Sequence, residues 1–292
     1  NTQRSVASLR FRGGVLLMFY LALTIAAAVA VMYCVQLMPL AGFAEAILLA
    51  LVISGGAPWT ALLKLHHAIR AEIQKGKGAA KGKTRGKGSY FDMAVSTRTN
   101  LNTTDDHGII RVGIGFVATN FDKGIVAPLL WYLIGGLPAA YIYAGIAAAR
   151  WGLSKEGFAK GFGHVPLALE TIFGGVPQIL SAMLLALAAA FTPKAGMARA
   201  VAGMLSPTGR APYAEGGLPL TTLAWGLGVS LGGPVEDRDG SVLKRAWVGS
   251  SHSSARVDIS HLRRAMYLGV MGYVLLFACL SGGIVLWRMF RP

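Results

Sequence analysis

The sequence is short of charge, and of acidic residues above all. Only 14% of its 292 residues are charged, against about 25% in an average soluble domain, and 13 Asp and Glu oppose 28 Lys and Arg. With 54% hydrophobic residues, such a chain cannot cover a globular surface unless lipid replaces water around part of it. The hydrophobicity also excludes an intrinsically disordered chain. The composition therefore predicts an integral membrane protein with basic loops.

Cysteine is nearly absent. The two cysteines, Cys34 and Cys279, lie inside apolar runs, which excludes a disulfide-stapled scaffold and a CxxC redox site. A P-loop is excluded as well, because Lys77 stands where the motif before Gly82-Lys83-Thr84 requires its first glycine. No Ser/His/Asp order is found, so a hydrolase has no support. No His/Cys ligand cluster is found either, and we predict no metal site.

Long apolar runs, by contrast, are plentiful. About 20 helical residues cross a hydrocarbon core of about 30 Å. We predict five spans, in residues 13–44 (core 15–38), 46–63, 124–149, 171–191 and 265–287. Pro39 ends the first helix, so the first two spans form a hairpin. The predicted fold class is an all-α integral membrane protein with about five transmembrane helices.

Gly and Pro interrupt two of the apolar regions. Gly135, Gly136 and Pro138 break the third span, which predicts a kinked helix or a re-entrant pair. Residues 216–234 are free of charge but rich in glycine, and no part of them is long enough for a spanning helix. We predict a re-entrant or interfacial element there.

Basic residues set the predicted orientation. Eight Lys or Arg between residues 64 and 87 follow the second span, opposed only by Glu72. We predict a single membrane domain, 1–292, with cytoplasmic basic loops at 64–124 and 235–264. With five spans, the C-terminal Arg288 and Arg291 then face the opposite side.

Residues 75–88 form a low-complexity tract of Gly and Lys, which predicts a flexible, self-repelling loop. A solvated loop that only fixes topology is one interpretation. Attraction to anionic lipid headgroups, at about 1 kcal/mol per basic residue near the surface, is another, and a phosphate or nucleic-acid contact is a third. We predict lipid rather than nucleic acid as the partner. The residues concerned are Lys75, Lys77, Lys81, Lys83, Arg85 and Lys87.

Two blocks of the second half resemble a known family. Arg111 is followed by VGIGFVATNFDKGIVAPLLW at 112–131, then by Gly135-Gly136-Leu137-Pro138 and Tyr143. Downstream, GLPLTTLAWGLGVSLGGP occupies 217–234, followed by Trp247-Val248-Gly249. In order and spacing, over roughly residues 96–270, this resembles the CobD/CbiB family, the membrane adenosylcobinamide-phosphate synthases of cobalamin biosynthesis.

The resemblance implies an amide ligase that joins adenosylcobyric acid to aminopropanol phosphate with ATP and magnesium. Such a reaction needs an activated carboxylate, and Mg²⁺ bridging phosphate oxygens prefers carboxylate ligands. An active member is therefore expected to present several Asp or Glu residues at the cytoplasmic face.

This chain departs from the family pattern at its acidic positions. Gly115 and Thr119 stand in place of glutamates, Lys123 and Arg150 in place of aspartates, and Ala147 in place of an asparagine. The residues that are kept shape the backbone: Gly124, Pro128, Gly135, Gly136, Pro138, Gly217, Pro219, Gly232 and Gly233. A lysine at a magnesium site also reverses the local charge.

The pattern favours a divergent, non-catalytic member without a resident cofactor. It would serve as a structural, assembly or regulatory subunit beside other membrane proteins in a bacterial-type inner membrane. The alternative is an active adenosylcobinamide-phosphate synthase that uses ATP and Mg²⁺.

Several polar residues are candidates for a site. The candidates for catalysis are Asn120, Asp122 and Lys123, and those for cofactor binding are Arg98, Arg111, Gly232 and Gly233. Thr104 or Asp105 is predicted to cap a helix that begins near residue 106, which leaves a metal site at Asp105-Asp106-His107 as the weaker interpretation. Glu170, at the edge of the fourth span, is either functional or a capping or snorkelling residue.

Overall fold

The computed structural model describes residues 6–53, 56–74, 88–101, 104–153, 161–236 and 242–290. The tract 75–88, apart from Gly88, lies outside the described residues. The α-helices are α1 (Val6–Gln36), α2 (Ala41–Val52), α3 (Gly56–Gln74), α4 (Ser89–Thr97), α5 (Asp106–Thr119), α6 (Ala127–Leu153), α7 (His164–Ala190), α8 (Met197–Leu205), α9 (Gly217–Leu227) and α10 (Ile259–Phe290). A π-helix, Asn120–Val126, joins α5 to α6, and a 3₁₀ turn, Tyr213–Glu215, precedes α9.

Strands are few and short. The described residues contain β1 (Leu231–Gly232), β2 (Val235–Glu236), β3 (Val242–Leu243) and β4 (Trp247–Val248). They form two antiparallel pairs, β1 with β4 and β2 with β3. The prediction of an all-α membrane protein is confirmed.

Four helical segments of the described chain are long and apolar enough to span a membrane. They are Val6–Gln36, Asp106–Leu153, His164–Ala190 and Ile259–Phe290. They contain most or all of the first, third, fourth and fifth predicted spans. Many of their large apolar side chains are exposed, as expected where lipid is the solvent.

The second predicted span, 46–63, is wrong as a single helix. Helix α2 ends at Val52 and α3 begins at Gly56. Pro58 lies in the first turn of α3, where its missing N–H breaks no hydrogen bond, so the run starts a new helix there. At 1.5 Å per residue, the 12 residues of α2 measure about 18 Å, too short to cross a bilayer.

The chain divides into two compact units. The first comprises Asn1–Ser54 and Asp122–Gln178, and the second Gly55–Phe121 and Ile179–Pro292. The predictions of one membrane domain and of cytoplasmic loops stay predictions. Within 64–124, predicted as a loop, the structure has the end of α3 and helices α4 and α5.

In the first unit, α6 is the central helix. Helix α1 packs on α6 where Gly145 leaves room for Thr24, and α2 is tied to α6 by the Tyr141 hydroxyl, which donates to the Leu48 carbonyl at 3.2 Å. Helix α6 is kinked at the predicted break. Gly136 has φ 66° there, a left-handed conformation that a side chain disfavours.

In the second unit, α5 and α10 form the centre. Gly113 of α5 lets Leu65 of α3 and Leu262 of α10 approach its backbone, so the three helices meet at a residue without a side chain. Helix α9, in the segment predicted as re-entrant or interfacial, is only 11 residues long and almost wholly buried. Its burial fits a short element that lies within protein rather than in lipid.

The predicted cap of α5 is confirmed for one of its two candidates. The Asp105 carboxylate accepts a hydrogen bond from the Gly108 amide at 2.9 Å, while Thr104 Oγ1 donates to the Asn100 carbonyl instead. An N-cap carboxylate satisfies an amide that the helix leaves unpaired.

Asp258 caps α10 in the same way. Its Oδ1 accepts from the Ser260 amide at 2.8 Å and from the His261 amide at 3.2 Å. Burial raises the pKa of Asp258, but hydrogen bonds from Ser260 and His261 outweigh it and lower the pKa to about 2 from 3.8. The folded state therefore favours the ionised form.

We expect Asp258→Ala to lower the free energy of unfolding by about 1 kcal/mol at pH 7 through loss of this cap. Because the folded pKa is depressed, the cap contributes fully above about pH 5, and its contribution falls as the pH drops toward about 2. Thermal unfolding of both proteins in detergent across this range measures the difference. Asp258→Asn, which keeps a capping oxygen, is the control and should show a smaller loss with little pH dependence.

Candidate functional site

Three charged side chains meet inside the first unit. Lys123 Nζ lies 2.9 Å from Oε1 of Glu170, and Arg150 Nε lies 3.2 Å from Oε2 of the same carboxylate. The first contact is a hydrogen-bonded ion pair, and the second is an ion pair without hydrogen-bond alignment. Glu170 is 1% exposed, Lys123 17% and Arg150 20%. We call these three residues the ion-pair cluster.

The elements that carry the cluster come from distant parts of the sequence. Lys123 lies in the π-helix, Arg150 in the last turn of α6, and Glu170 in the second turn of α7. Helices α6 and α7 are held together by the Trp131 indole, which donates to the Phe173 carbonyl at 3.1 Å. The Trp131 and Phe173 rings also pack with centroids 5.3 Å apart.

The charges of the cluster nearly cancel. A buried carboxylate is costly unless it is paired, and Glu170 has one cation at each oxygen. Asp122, the neighbour of Lys123 in the π-helix, is also buried. Two basic and two acidic side chains therefore lie in this part of the first unit.

The candidates Asn120, Asp122 and Lys123 fall in different units. Asp122 and Lys123 belong to the first unit and Asn120 to the second. The Asn120 amide donates to the Tyr273 hydroxyl at 3.5 Å, at the edge of an aromatic cluster. There the Tyr273 ring packs against Phe121 and Trp59, with centroids 5.2 Å and 6.4 Å away.

Three of the four candidates for cofactor binding meet at Trp247 in the second unit. The Arg111 guanidinium carbon lies 5.4 Å from the Trp247 ring centroid. Gly232 pairs with Trp247 across β1 and β4. A Cβ on Gly233 would come within 2.6 Å of the indole. We call Arg111, Gly232, Gly233 and Trp247 the Trp247 cluster.

Arg111 makes two contacts with protein atoms through its terminal nitrogens, while its buried Nε has no hydrogen-bond partner among the described residues. Its Nη1 donates to the Ala255 carbonyl at 2.8 Å, and Nη2 lies 3.8 Å from the Asp105 carboxylate. These contacts join α5 to the segment before α10, and the stacking on Trp247 adds β4. Arg111 thus holds three parts of the second unit together.

Arg98 lies at the end of α4 in a left-handed conformation with φ 52°. Two residues later, Asn100 donates from its backbone amide to the Glu236 carbonyl at 2.8 Å and from Nδ2 to the Glu236 carboxylate at 3.1 Å. The segment after Arg98 is therefore fixed to β2, three residues beyond Gly233.

Asp105 and His107 are also engaged in structural contacts. Asp105 caps α5, and His107 Nδ1 is 2.7 Å from the Val257 carbonyl. In the part of the chain that the structure describes, no three His, Cys, Asp or Glu side chains are grouped so as to hold a metal ion.

Sequence reasoning missed the pairing that matters most. Glu170 was singled out, and Lys123 was a candidate, but neither was connected to the other, and Arg150 was noted only as a departure from the family pattern. The sequence does carry a signal for this pairing. Glu170 borders one apolar run, and Lys123 and Arg150 border another. Intramembrane charges usually pair, so each needed a partner.

Gly233 tests how closely the Trp247 cluster is packed. Its φ of 78° is unfavourable for any side chain, and the added Cβ would also meet the indole. We expect Gly233→Ala to lower the free energy of unfolding by about 2–4 kcal/mol. Gly228→Ala is the matched control, because Gly228 has φ 68° and ψ 36° and its added Cβ would meet only the flexible end of Arg199, at 3.3 Å, so it should cost only about 1 kcal/mol. Equal losses in thermal unfolding would contradict close packing at Trp247.

Comparison with known proteins gives a consistent result. Residues 1–268 match the family described as CobD/Cbib protein. Proteins named cobalamin biosynthesis protein CobD are similar over part of their length. The protein from Brucella anthropi is 28% identical over 151 residues, 51% of this chain and 46% of that protein. The protein from Klebsiella pneumoniae is 32% identical over 163 residues, 55% of this chain and 50% of that protein.

A third relative, from Rhizobium meliloti, is 33% identical over 138 residues, 46% of this chain and 41% of that protein. The chain spans about half the length of the curated relatives it matches. No solved structure matches it.

Proposed function

This chain belongs to the CobD/Cbib family, and from that membership we propose that it is a non-catalytic membrane protein connected with cobalamin biosynthesis. It keeps the helical scaffold of the family and serves as a structural, assembly or regulatory subunit of a membrane complex. The relatives named cobalamin biosynthesis protein CobD support the pathway.

The ion-pair cluster carries this proposal. Lys123 and Arg150 stand at the two positions where the family resemblance implies aspartates, and both contact Glu170. The two positions at which an aspartate is replaced are distant in the sequence but lie at one place in the fold. Because each new cation neutralises the same carboxylate, the substitutions form a consistent set and support a site converted from chemistry to structure.

The residues of the cluster do not fit magnesium and ATP. A Mg²⁺ ion needs carboxylate oxygens that are not already neutralised, and here two cations take up the Glu170 carboxylate. A lysine and an arginine at this distance would also repel the metal. We therefore assign no step of a ligase reaction to these side chains.

An amidation assay tests the proposal directly. Purified protein is incubated with adenosylcobyric acid, aminopropanol phosphate, ATP and Mg²⁺, with an authentic adenosylcobinamide-phosphate synthase as positive control. We expect no amide product, and no rescue of a bacterial strain that lacks its own synthase despite good membrane expression. Product formation at a rate comparable to the control, or rescue, would establish the alternative of an active adenosylcobinamide-phosphate synthase.

The subunit role has a separate test. We expect the tagged protein, extracted from native membranes in a mild detergent, to co-purify in constant stoichiometry with another membrane protein. Purification alone, together with binding of Mg·ATP by calorimetry, would count against it.

The inner-membrane location, the cytoplasmic basic loops and the lipid contact of the 75–88 tract belong to the same proposal. Protease accessibility of tags placed in 64–124 and 235–264 reports the orientation.

A further inference from the structure

A groove opens along the N-terminal part of α1 in the first unit, where it meets the start of α7. Its volume is about 450 Å³, within the range of small-ligand sites. The lining is apolar apart from Arg10 and His164. The remaining lining residues are Phe11, Gly14, Val15, Leu17, Met18, Leu21, Val165 and Leu169.

Glycines explain why the groove lies here. Gly13 of α1 faces the Phe162 backbone so closely that a Cβ would lie 2.7 Å from the Phe162 Cα. Gly161 likewise lets the Leu9 side chain pack directly against its backbone. The crossing is therefore tight at these residues. One residue further, Gly14 has only Val165 near it, at 3.8 Å, so the absent side chain leaves a gap.

The groove has a polar end and an apolar end. Arg10 and His164 stand at one end, and Leu17, Leu21 and Leu169 extend away from them. None of the described residues that line it is acidic. The nearest acid along α7, Glu170, is buried in the ion-pair cluster.

The polar end also lies where lipid headgroups are. Arg10 and Arg12 precede a stretch of α1, Gly13 to Gln36, that has no charged residue. At 1.5 Å per residue these 24 residues measure about 36 Å, enough to cross the hydrocarbon core. When α1 spans the bilayer, Arg10 therefore lies at the level of the phosphates and the leucines lie among acyl chains.

We propose that this groove binds one anionic glycerophospholipid. The phosphate contacts Arg10 and His164, and an acyl chain lies along the leucines between α1 and α7. The proposal does not rest on the cobalamin function or on the Lys-rich tract at 75–88, because no lining residue belongs to the ion-pair cluster or to that tract. The bound lipid would fill a gap in the contact between α1 and α7.

Native mass spectrometry of the full chain in mixed micelles tests it, with phosphatidylglycerol and phosphatidylcholine offered at equal concentration. We expect one retained phosphatidylglycerol and a clear preference for it over phosphatidylcholine. Arg10→Gln should reduce that preference about fivefold, since a basic residue near a lipid phosphate contributes on the order of that factor. Arg12→Gln is the matched control, because Arg12 is exposed on the same helix but does not line the groove, and it should leave the preference unchanged.

A second variant changes the shape and keeps the charges. Gly14→Leu fills the groove without a backbone clash and should remove the retained lipid, whereas Gly42→Leu, which has open space around it, should not. Equal retention of both lipids by the wild-type protein would overturn the proposal, as would equal effects of Arg10→Gln and Arg12→Gln. Dimers that retain no lipid and dissociate in Gly14→Leu would also overturn it, because a second copy would then occupy the groove.

Discussion

Glu170→Gln is expected to lower the free energy of unfolding by about 3–5 kcal/mol, the range measured when one partner of a buried ion pair is removed. Glutamine has nearly the same shape as glutamate, so the change leaves no cavity. It leaves Lys123 and Arg150, both mostly buried, facing a neutral amide instead of a carboxylate. Reversible unfolding in detergent or bicelles, followed by circular dichroism, measures the loss.

Two further variants serve as comparisons for the stability loss of Glu170→Gln. Asp92→Asn breaks the Lys64–Asp92 ion pair, which has a similar distance of 2.8 Å but lies at the surface, and it should cost less than about 1 kcal/mol. In a Glu170→Gln background, Lys123→Met should recover part of the stability, because one unpaired buried cation is removed. A Glu170→Gln protein as stable as the wild type would show that the cluster does not stabilise the fold.

Most of the membrane fold was predictable because its main signal is local. A helix that spans a bilayer needs a long run without charges, and such runs can be read along the sequence without knowing what they touch. The kink of α6 was predictable for the same reason, since Gly135, Gly136 and Pro138 disfavour a regular helix wherever they occur.

The error at residues 46–63 shows where this local reading fails. Hydropathy records that the run has no charge, but not whether one helix continues through it. Gly56 and Pro58 fit the first turn of a helix, so α3 begins there and α2 stays short. Helix α2 then contacts α6 through side chains such as Glu45, whose carboxylate accepts from the Tyr132 hydroxyl at 3.1 Å.

The candidate site was predictable only in part. Arg111, Gly232 and Gly233 were identified by their place in the family pattern, and the structure brings them together at Trp247. The ion-pair cluster is different, because its residues stand 27 and 20 positions apart along the chain. No periodicity links Lys123, Arg150 and Glu170, so only the packing of α6 and α7 reveals that they compensate one another.

The strongest test of the proposed conversion at the ion-pair cluster places aspartates at both cation positions. The double variant Lys123→Asp with Arg150→Asp replaces both cations around Glu170 by carboxylates, next to the buried Asp122. Like charges in a low-dielectric interior repel strongly. We therefore expect a loss of more than about 5 kcal/mol without divalent cations, larger than that of Glu170→Gln.

Magnesium should then recover part of what the double variant loses. Four carboxylates at this place offer the oxygen ligands that hard cations prefer, and a cation that binds only the folded state stabilises it by about 2.7 kcal/mol at one hundred times its dissociation constant. Thermal unfolding with and without 10 mM MgCl₂, roughly a saturating concentration for a weak site, measures this. Lys123→Met with Arg150→Met and Glu170→Gln is the control, since it removes the cations and leaves Asp122 as the single carboxylate of the four, so it should not respond to Mg²⁺. A double Asp variant that is stable without Mg²⁺ would contradict the role of the two cations, and one that Mg²⁺ leaves unstable would show that the fold no longer keeps the geometry of a metal site there.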